Sequence, residues 1–328
     1  MLVDGFQRQI DYLRLSVTDL CNLRCQYCMP FEGVPRMGKE NILTFEEITR
    51  LVQILVPLGI RRVRLTGGEP LVRRDVPSLV KRLKEIPGLQ EVLMTTNAIL
   101  LKPVAQELKN AGLEKINIHL DTLSPEKFRK ITRWGEFQNV LDGIEEAKKA
   151  GLKPIKLNAV IQKGINDDEV EGLLLFAAEK GLVLRLIELM PIGPAHEMMG
   201  KRFIPIESLR SRLEEKYSLL PARLEIGSGP AVYYKVRELG TLIGFISPVS
   251  QPFCKSCNRI RIGSDGRFQD CLAYDGSFSL RDLLRNPNYS DKMVAEEIVH
   301  LLQGKRESHK NFIQDETIQT PCMYGIGG

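Results

Sequence analysis

An α/β fold is predicted: an incomplete TIM-like barrel of six β/α units with a C-terminal region of different pattern. Three observations predict its barrel. Short apolar runs alternate with amphipathic stretches through residues 1–190, the rhythm of a parallel sheet. Most of the amphipathic stretches end at a glycine, as helices do. Residues able to do chemistry sit just after the apolar runs, where barrels of this kind gather their functional groups.

The predicted strands are 12–17, 61–66, 91–95, 115–120, 155–161 and 183–188. After the first comes a loop of cysteines, and then Thr44-Phe45-Glu46-Glu47, a capping box opening a helix that runs toward Pro57 and Gly59. Helical patterns follow at 75–86, 104–111, 137–150 and 168–180. The strand ends carry 66–70, 95–97, 119–121 and Met190. The pattern changes after 190: residues 198–224 read as charged and helical, and 231–249 as a short meander. A further cysteine site, two helical segments and a tail complete the chain. The expected division is therefore 1–190 for the partial barrel and 191–328 for the C-terminal region.

At 328 residues the chain suffices for one large α/β domain and an appended module. Its hydrophobic fraction of 43% is ordinary, and no apolar run reaches membrane-spanning length. The N-terminus lacks the order of a signal peptide, so a cytoplasmic location without membrane attachment is expected. Seven cysteines fall into two groups plus Cys322; without a secretion signal, that usage favours metal or redox chemistry over disulfides. A net charge of +5 suits an anionic small substrate and is poor support for nucleic acid.

Cys21-x-x-x-Cys25-x-x-Cys28 is the sharpest signal. Thiolates are the usual ligands of iron–sulfur clusters, and one short loop confines all three. The next cysteine in the chain is Cys254, so a four-iron cluster here would keep one iron open for a ligand. Structural zinc sites instead pair C-x-x-C knuckles and close all four positions. Beyond the second strand, Gly67-Gly68 permits close backbone approach to a ligand, and Glu69 adds a carboxylate suited to an ammonium group. Taken alone, that segment could be only a tight turn; beside the cysteine triplet it is hard to read that way.

Cys254, Cys257 and Cys271 form a second triplet, again one ligand short. Spacing leaves open a structural zinc or iron knuckle, closed by Cys322 or a histidine, and a second cluster with an open iron. Arg259 and Arg261 favour the cluster: they alternate along a strand-like segment, so both face one side. Guanidinium groups there suit a triphosphate or a purine carbonyl.

Cys-Asn-Leu-Arg-Cys-Gln-Tyr-Cys-Met-Pro at 21–30 and Arg-Leu-Thr-Gly-Gly-Glu-Pro at 64–70 resemble the radical S-adenosylmethionine superfamily. Adding Gln-Lys-Gly-Ile-Asn-Asp-Asp at 162–168, Arg259-x-Arg261 and the terminal Gly327-Gly328, the chain is similar to one family within it, the GTP 3′,8-cyclases of molybdenum cofactor biosynthesis. The resemblance implies two 4Fe-4S clusters, on Cys21, Cys25 and Cys28 and on Cys254, Cys257 and Cys271. It implies S-adenosylmethionine at Tyr27, Gly68, His119 and Met190, and GTP at Arg14, Arg64, Thr95, Lys156, Arg259 and Arg261. The implied reaction is the pathway's first step: a 5′-deoxyadenosyl radical takes hydrogen from ribose C3′, and C3′ adds to guanine C8. Cys21, Cys25, Cys28, Arg259, Arg261, Gly327 and Gly328 are the implied catalytic set, the glycine tail entering the barrel mouth. An external one-electron donor, a downstream cyclic pyranopterin synthase and a homodimer are the implied partners.

Four arginines and a lysine at one barrel mouth suit three phosphates, and no G-x-x-x-x-G-K-[ST] loop offers another nucleotide site. Two positions depart from the family. His119 stands where it carries serine and is expected to crowd the cofactor. Ala98 replaces a usual glycine, and since alanine resists positive φ a reshaped turn is expected. Cys322 is expected not to be a cluster ligand. The rival readings are a two-cluster radical enzyme acting on a peptide or another small molecule, a two-cluster electron carrier, and a zinc-stabilised nucleic-acid module. A carrier would normally close its clusters with four cysteines, and basic and aromatic residues do not interleave at the cysteines as the nucleic-acid reading requires.

Overall fold

In a computed structural model, which describes residues 1–222, 229–274, 276, 278–309 and 323–326, the six expected strands all form. They are β1 (Tyr12–Ser16), β2 (Arg62–Thr66), β3 (Glu91–Thr96), β4 (Lys115–His119), β5 (Ile155–Ile161) and β6 (Val183–Glu188). They pair in parallel and in chain order. Connecting them are α1 (Phe45–Leu58), α2 (Val76–Lys84), α3 (Ala105–Asn110), α4 (Pro125–Thr132), α5 (Phe137–Lys149) and α6 (Val170–Lys180). The Thr44 capping box is present: its hydroxyl accepts from Glu47 N, and the Glu47 carboxylate accepts from Thr44 N. α4 was not anticipated, although Ser124 caps it and Pro125 occupies its first turn.

The C-terminal region begins with α7 (Met199–Arg202) and α8 (Ile206–Glu214). The helical reading of 198–224 fails at its end, where β7 (Leu219–Ala222) pairs antiparallel with β8 (Val232–Val236). β8 pairs in turn with β9 (Thr241–Ile246), which extends the sheet by lying parallel to β6. β10 (Arg259–Ile262) lies parallel to β1 on the opposite edge, followed by β11 (Arg267–Gln269) and β12 (Phe278–Ser279). The order is β12-β11-β10-β1-β2-β3-β4-β5-β6-β9-β8-β7, an open arc rather than a closed barrel. α9 (Leu280–Arg285), α10 (Asp291–Gln303) and α11 (Met323–Ile326) complete the described elements.

Strand parity separates two environments, because alternate side chains face opposite sides of a sheet. Leu13, Leu15, Val63, Leu65, Val92, Met94, Ile116, Ile118, Leu157 and Leu184 point outward under the helices and are almost wholly buried in one apolar core. The other parity carries Tyr12, Arg14, Arg62, Arg64, Glu91, Thr95, Lys115, Asn117, Lys156 and Arg185, which line the concave interior. The helices are thus held by one half of each strand's residues, leaving the other half for polar work.

Ala98 keeps the turn instead of reshaping it: its φ is +63°, in the left-handed region. The side chain is fully buried against α5, where a Cβ added to Gly143 would stand 3.1 Å from that of Ala98 and 2.4 Å from its carbonyl oxygen. Left-handed alanine costs about 1 kcal/mol. Ala98→Gly is accordingly expected to stabilise the protein by a fraction of that, read as a small rise in thermal midpoint.

Candidate active site

One interior cavity of about 360 Å³ collects the expected residues. Cys21, Cys25, Cys28, Tyr27, Gly68, His119 and Met190 line it, as do Arg14, Arg64, Thr95, Lys156, Arg259, Arg261, Cys254, Cys257 and Cys271. Gly327, Gly328 and Cys322 lie outside the described residues, while Met323, at the start of α11, lines the cavity.

The cations do not cluster at a mouth. In register, Arg261, Arg14 and Arg64 stand side by side on β10, β1 and β2, with Arg259, Tyr12 and Arg62 one step nearer the strands' N-terminal ends. Thr95, Asn117 and Lys156 form a corresponding row across β3, β4 and β5. The first triplet follows β1, whereas Cys254 and Cys257 precede β10, a strand parallel to β1. The two triplets therefore occupy opposite ends of the interior, with the cations between them. From the level of Tyr12 to that of Ser16 a strand rises roughly 13 Å.

Like charges press on one another in this space. Burial and the Lys156 neighbours Arg185, Arg64 and Lys115 bring its ammonium down to about 7. Burial and Arg259 lower Arg261 to about 10, and burial with Arg261, Arg64 and Arg259 puts Arg14 well below its ordinary value. Burial would raise the Tyr12 hydroxyl, yet Arg64, Arg14 and Arg259 hold it below normal. Arg64 donates from Nε to the Tyr12 hydroxyl (2.5 Å) and from Nη1 to the Met94 carbonyl (2.8 Å). Arg259 stacks 5.0 Å from the Phe253 ring and leaves Nε buried without a hydrogen-bond partner. An anion suits such a wall.

Around the first triplet the field is reversed. Burial, then Glu69, pushes the Cys21 thiol to about 11, and burial with the neighbouring Cys28 and Cys21 raises Cys25 well above normal. Gly67 and Gly68 press against the loop that delivers these cysteines: Gly68 N donates to Thr18 O (2.9 Å) and Glu69 N to Leu20 O (2.8 Å). The close approach predicted toward a ligand is thus made to backbone. Burial brings the Glu69 carboxyl up to about 7 despite donors from Thr96 Oγ1 (2.6 Å), Asn97 N (2.7 Å) and Leu71 N (3.1 Å). Its oxygens fasten the end of β3 to the glycine loop.

His119, which lines the cavity, is held by two hydrogen-bond partners. Its Nε2 lies 2.5 Å from the Tyr27 hydroxyl and 2.9 Å from Asp121 Oδ2, and Tyr27 also donates to Asp121 Oδ2 at 2.8 Å. Burial opposes its charge, but Asp121 raises its pKa. Sequence reasoning passed over Arg62, Arg185, Lys115, Asn117 and Asn158. Parity could have found most of them, since Arg-Val-Arg, Lys-Ile-Asn-Ile-His and Leu-Arg-Leu repeat one alternation.

At the second triplet the surroundings are cationic. Burial would raise Cys254, Cys257 and Cys271, but all three are lowered: Cys254 and Cys271 chiefly by hydrogen bonds from His309, Cys257 chiefly by the charges of Arg259 and Lys305. Burial opposes charge on His309, while Cys254 and Cys271 bring it up to about 10. Among the described residues no three His, Cys, Asp or Glu side chains converge as ligands of a single metal ion. Each triplet offers three free thiols, the number that leaves one iron of a cubane cluster open. No helix among the described residues is long and apolar enough to cross a membrane.

Comparison with known proteins agrees with this geometry. The Radical SAM superfamily model matches residues 15–177 and the Molybdenum Cofactor Synthesis C model residues 182–311. The chain is 42% identical over 325 residues to the GTP 3′,8-cyclase of Alkaliphilus metalliredigens, covering 99% of both proteins. It is 48% identical over 282 residues to that of Moorella thermoacetica, covering 86% of this chain and 87% of that one. The same-named protein of Petrotoga mobilis is 41% identical over 327 residues, covering 100% of both. Among solved structures, Streptococcus suis SuiB bound to its precursor peptide SuiA aligns with TM-score 0.63 at 15% identity, covering 95% of this chain and 76% of that one. That likeness is one of fold alone.

Proposed function

Because this chain belongs to the GTP 3′,8-cyclase family of the radical S-adenosylmethionine superfamily, we propose that it joins C3′ of the ribose to C8 of the guanine in GTP, the first step of molybdenum cofactor biosynthesis. The observation that carries this reading is the in-register row of cations between two separated cysteine triplets. Cys21, Cys25 and Cys28 would hold one 4Fe-4S cluster, and Cys254, Cys257 and Cys271 the other. With S-adenosylmethionine bound, the first cluster supplies a 5′-deoxyadenosyl radical able to take hydrogen from C3′.

Around that chemistry the protein binds and orients. Arg14, Arg64, Lys156, Arg259 and Arg261 hold the triphosphate and base, and Thr95 takes a hydroxyl-sized polar group of the same substrate. Tyr27, Gly68, His119 and Met190 bound the cofactor, with His119 and Asp121 fixing the Tyr27 ring. Labour divides near residue 190, with the radical source on 1–190 and the second cluster and Gly327-Gly328 tail on 191–328. An external one-electron donor, a cyclic pyranopterin synthase that takes the product, a homodimer and a cytoplasmic setting complete the proposal, supported by the motif resemblance.

Deuterium placed at C3′ of GTP is expected in 5′-deoxyadenosine after turnover by the anaerobically reconstituted enzyme. Retention of the label in the nucleotide would overturn the proposal and favour a peptide substrate.

Lys156 gives the site a pH dependence. With its pKa near 7, about half of the ammonium groups are charged at neutral pH. A bound triphosphate recruits the charged form. GTP binding should therefore take up a fraction of a proton at pH 7 and weaken as pH rises from about 6 to 8, by less than about tenfold per unit. Calorimetry in buffers of differing ionisation heat measures the uptake, and Lys156→Met should remove it.

A further inference from the structure

The second triplet has a neighbour for which the proposed reaction has no use. His309 is 8% exposed and lines the cavity. Its Nε2 lies 2.8 Å from the Pro248 carbonyl oxygen and its Nδ1 3.0 Å from Cys254 Sγ. A carbonyl only accepts, so Nε2 carries hydrogen toward Pro248 and the ring is held from both sides. A thiolate on iron has no hydrogen to give. The contact at Nδ1 is then attractive only if that nitrogen donates as well, which makes the ring an imidazolium.

The segment bearing His309 is tied down independently. Buried Arg8 donates from Nη1 to the carbonyls of Cys254 (2.8 Å) and Glu307 (2.8 Å), and from Nη2 to that of Arg306 (2.6 Å). Asp4, itself 1% exposed, fixes that guanidinium through a 2.6 Å bond to Nε. On the other side Lys305 Nζ donates to the Asp270 carbonyl, and Arg306 N donates to Asp270 Oδ2 (3.0 Å), beside Cys271. Residues 305–309 are thus fastened to both loops that carry the second triplet.

We propose that His309 is a positioning residue of the second cluster, donating a hydrogen bond from Nδ1 to the Cys254 sulfur and raising that cluster's reduction potential, with the Asp4–Arg8 pair holding the segment in place. The inference rests on the reading that Cys254, Cys257 and Cys271 hold a 4Fe-4S cluster. Hydrogen bonds to cluster sulfurs are a recognised control of potential, because they stabilise the more negative reduced state.

The test uses the full chain with Cys21, Cys25 and Cys28 replaced by alanine and reconstituted anaerobically, so that about four irons report the second site alone. Reductive titration followed by electron paramagnetic resonance is compared for this background, His309→Leu and His309→Gln. The leucine variant should shift the midpoint potential downward, and glutamine, which can still donate, should recover part of the shift. Electron–nuclear double resonance should find an exchangeable proton coupled to the reduced cluster in the background and not in the leucine variant. An unchanged potential at full iron content overturns the inference, as does a strongly coupled nitrogen bonded directly to iron. If leucine costs the cluster, the proton resonance of the background decides alone: its presence supports the hydrogen bond and its absence overturns it. A background holding zinc or no iron overturns the cluster reading and the inference with it.

Discussion

Alanine at both Arg259 and Arg261 is expected to lower GTP conversion by at least about 10³-fold, while the protein keeps its fold and on the order of eight irons per chain. Arg261 is 7% exposed and stands level with Arg14, and Arg259, whose Nε is buried without a hydrogen-bond partner, lines the same cavity. A single preorganised donor in a water-excluded site is worth roughly 10²–10³-fold in rate. Removing two also removes two charges that a triphosphate would face. Stability should not fall in proportion, because Arg259 crowds Arg261 and lowers its pKa, and both lower that of Arg14. The measurements are GTP turnover, GTP affinity by calorimetry, iron content and thermal midpoint. Near-native turnover in the double variant contradicts the substrate assignment. Loss of iron would instead mean that the arginines serve the second triplet.

Gly68→Ala is expected to be nearly as damaging, through geometry rather than charge. A Cβ there would stand 2.3 Å from the Leu20 carbonyl oxygen and 2.6 Å from its carbon, and neither can swing aside as a side-chain tip would. The loop from Thr18 to Cys21 must retreat, carrying the first triplet with it. A displacement near 1 Å at a reacting centre can cost about 10²-fold in rate, and overpacking typically costs 1–3 kcal/mol of stability, stated roughly. S-Adenosylmethionine cleavage should fall by that order while GTP binding stays close to native. Gly200→Ala is the control, since nothing lies within 4 Å of the added atom. Undiminished cleavage by the Gly68 variant would show that the loop accommodates the methyl group without moving the cysteines.

Much of this architecture was legible because it rests on local pattern. Six β/α units, the Thr44–Glu47 box and the two triplets each announce themselves within one continuous stretch of chain. The features that escaped depend on partners distant in sequence. Residues 219–222 carry no strong strand signal, and β7 exists because β8 lies beside it. Arg14 reads as an ordinary strand residue until Arg261 and Arg64 are placed on either side. The second triplet's position, opposite the first, follows from β10 running parallel to β1, which spacing does not reveal. α4 had a local signal in Ser124-Pro125, which the sequence reading did not use. Ala98 was misjudged for a different reason: a conformational cost of about 1 kcal/mol is small enough for the surrounding structure to carry, so the turn keeps its shape and the residue keeps the strain.

The pairing of β1 with β10 has a consequence for how the polypeptide is made. Arg14 finds its partner Arg261 only after almost the whole chain has emerged, so synthesis leaves an unpatched sheet border at β1 for most of its duration. The other flank, β6, waits for β9 in the same way. Unpaired parallel borders are templates for wrong partners, and contacts so far apart in sequence form slowly. A nascent chain released near residue 190 would carry both borders bare and tend to aggregate. The strands that complete the interior for catalysis are therefore also the ones that make the newborn protein safe.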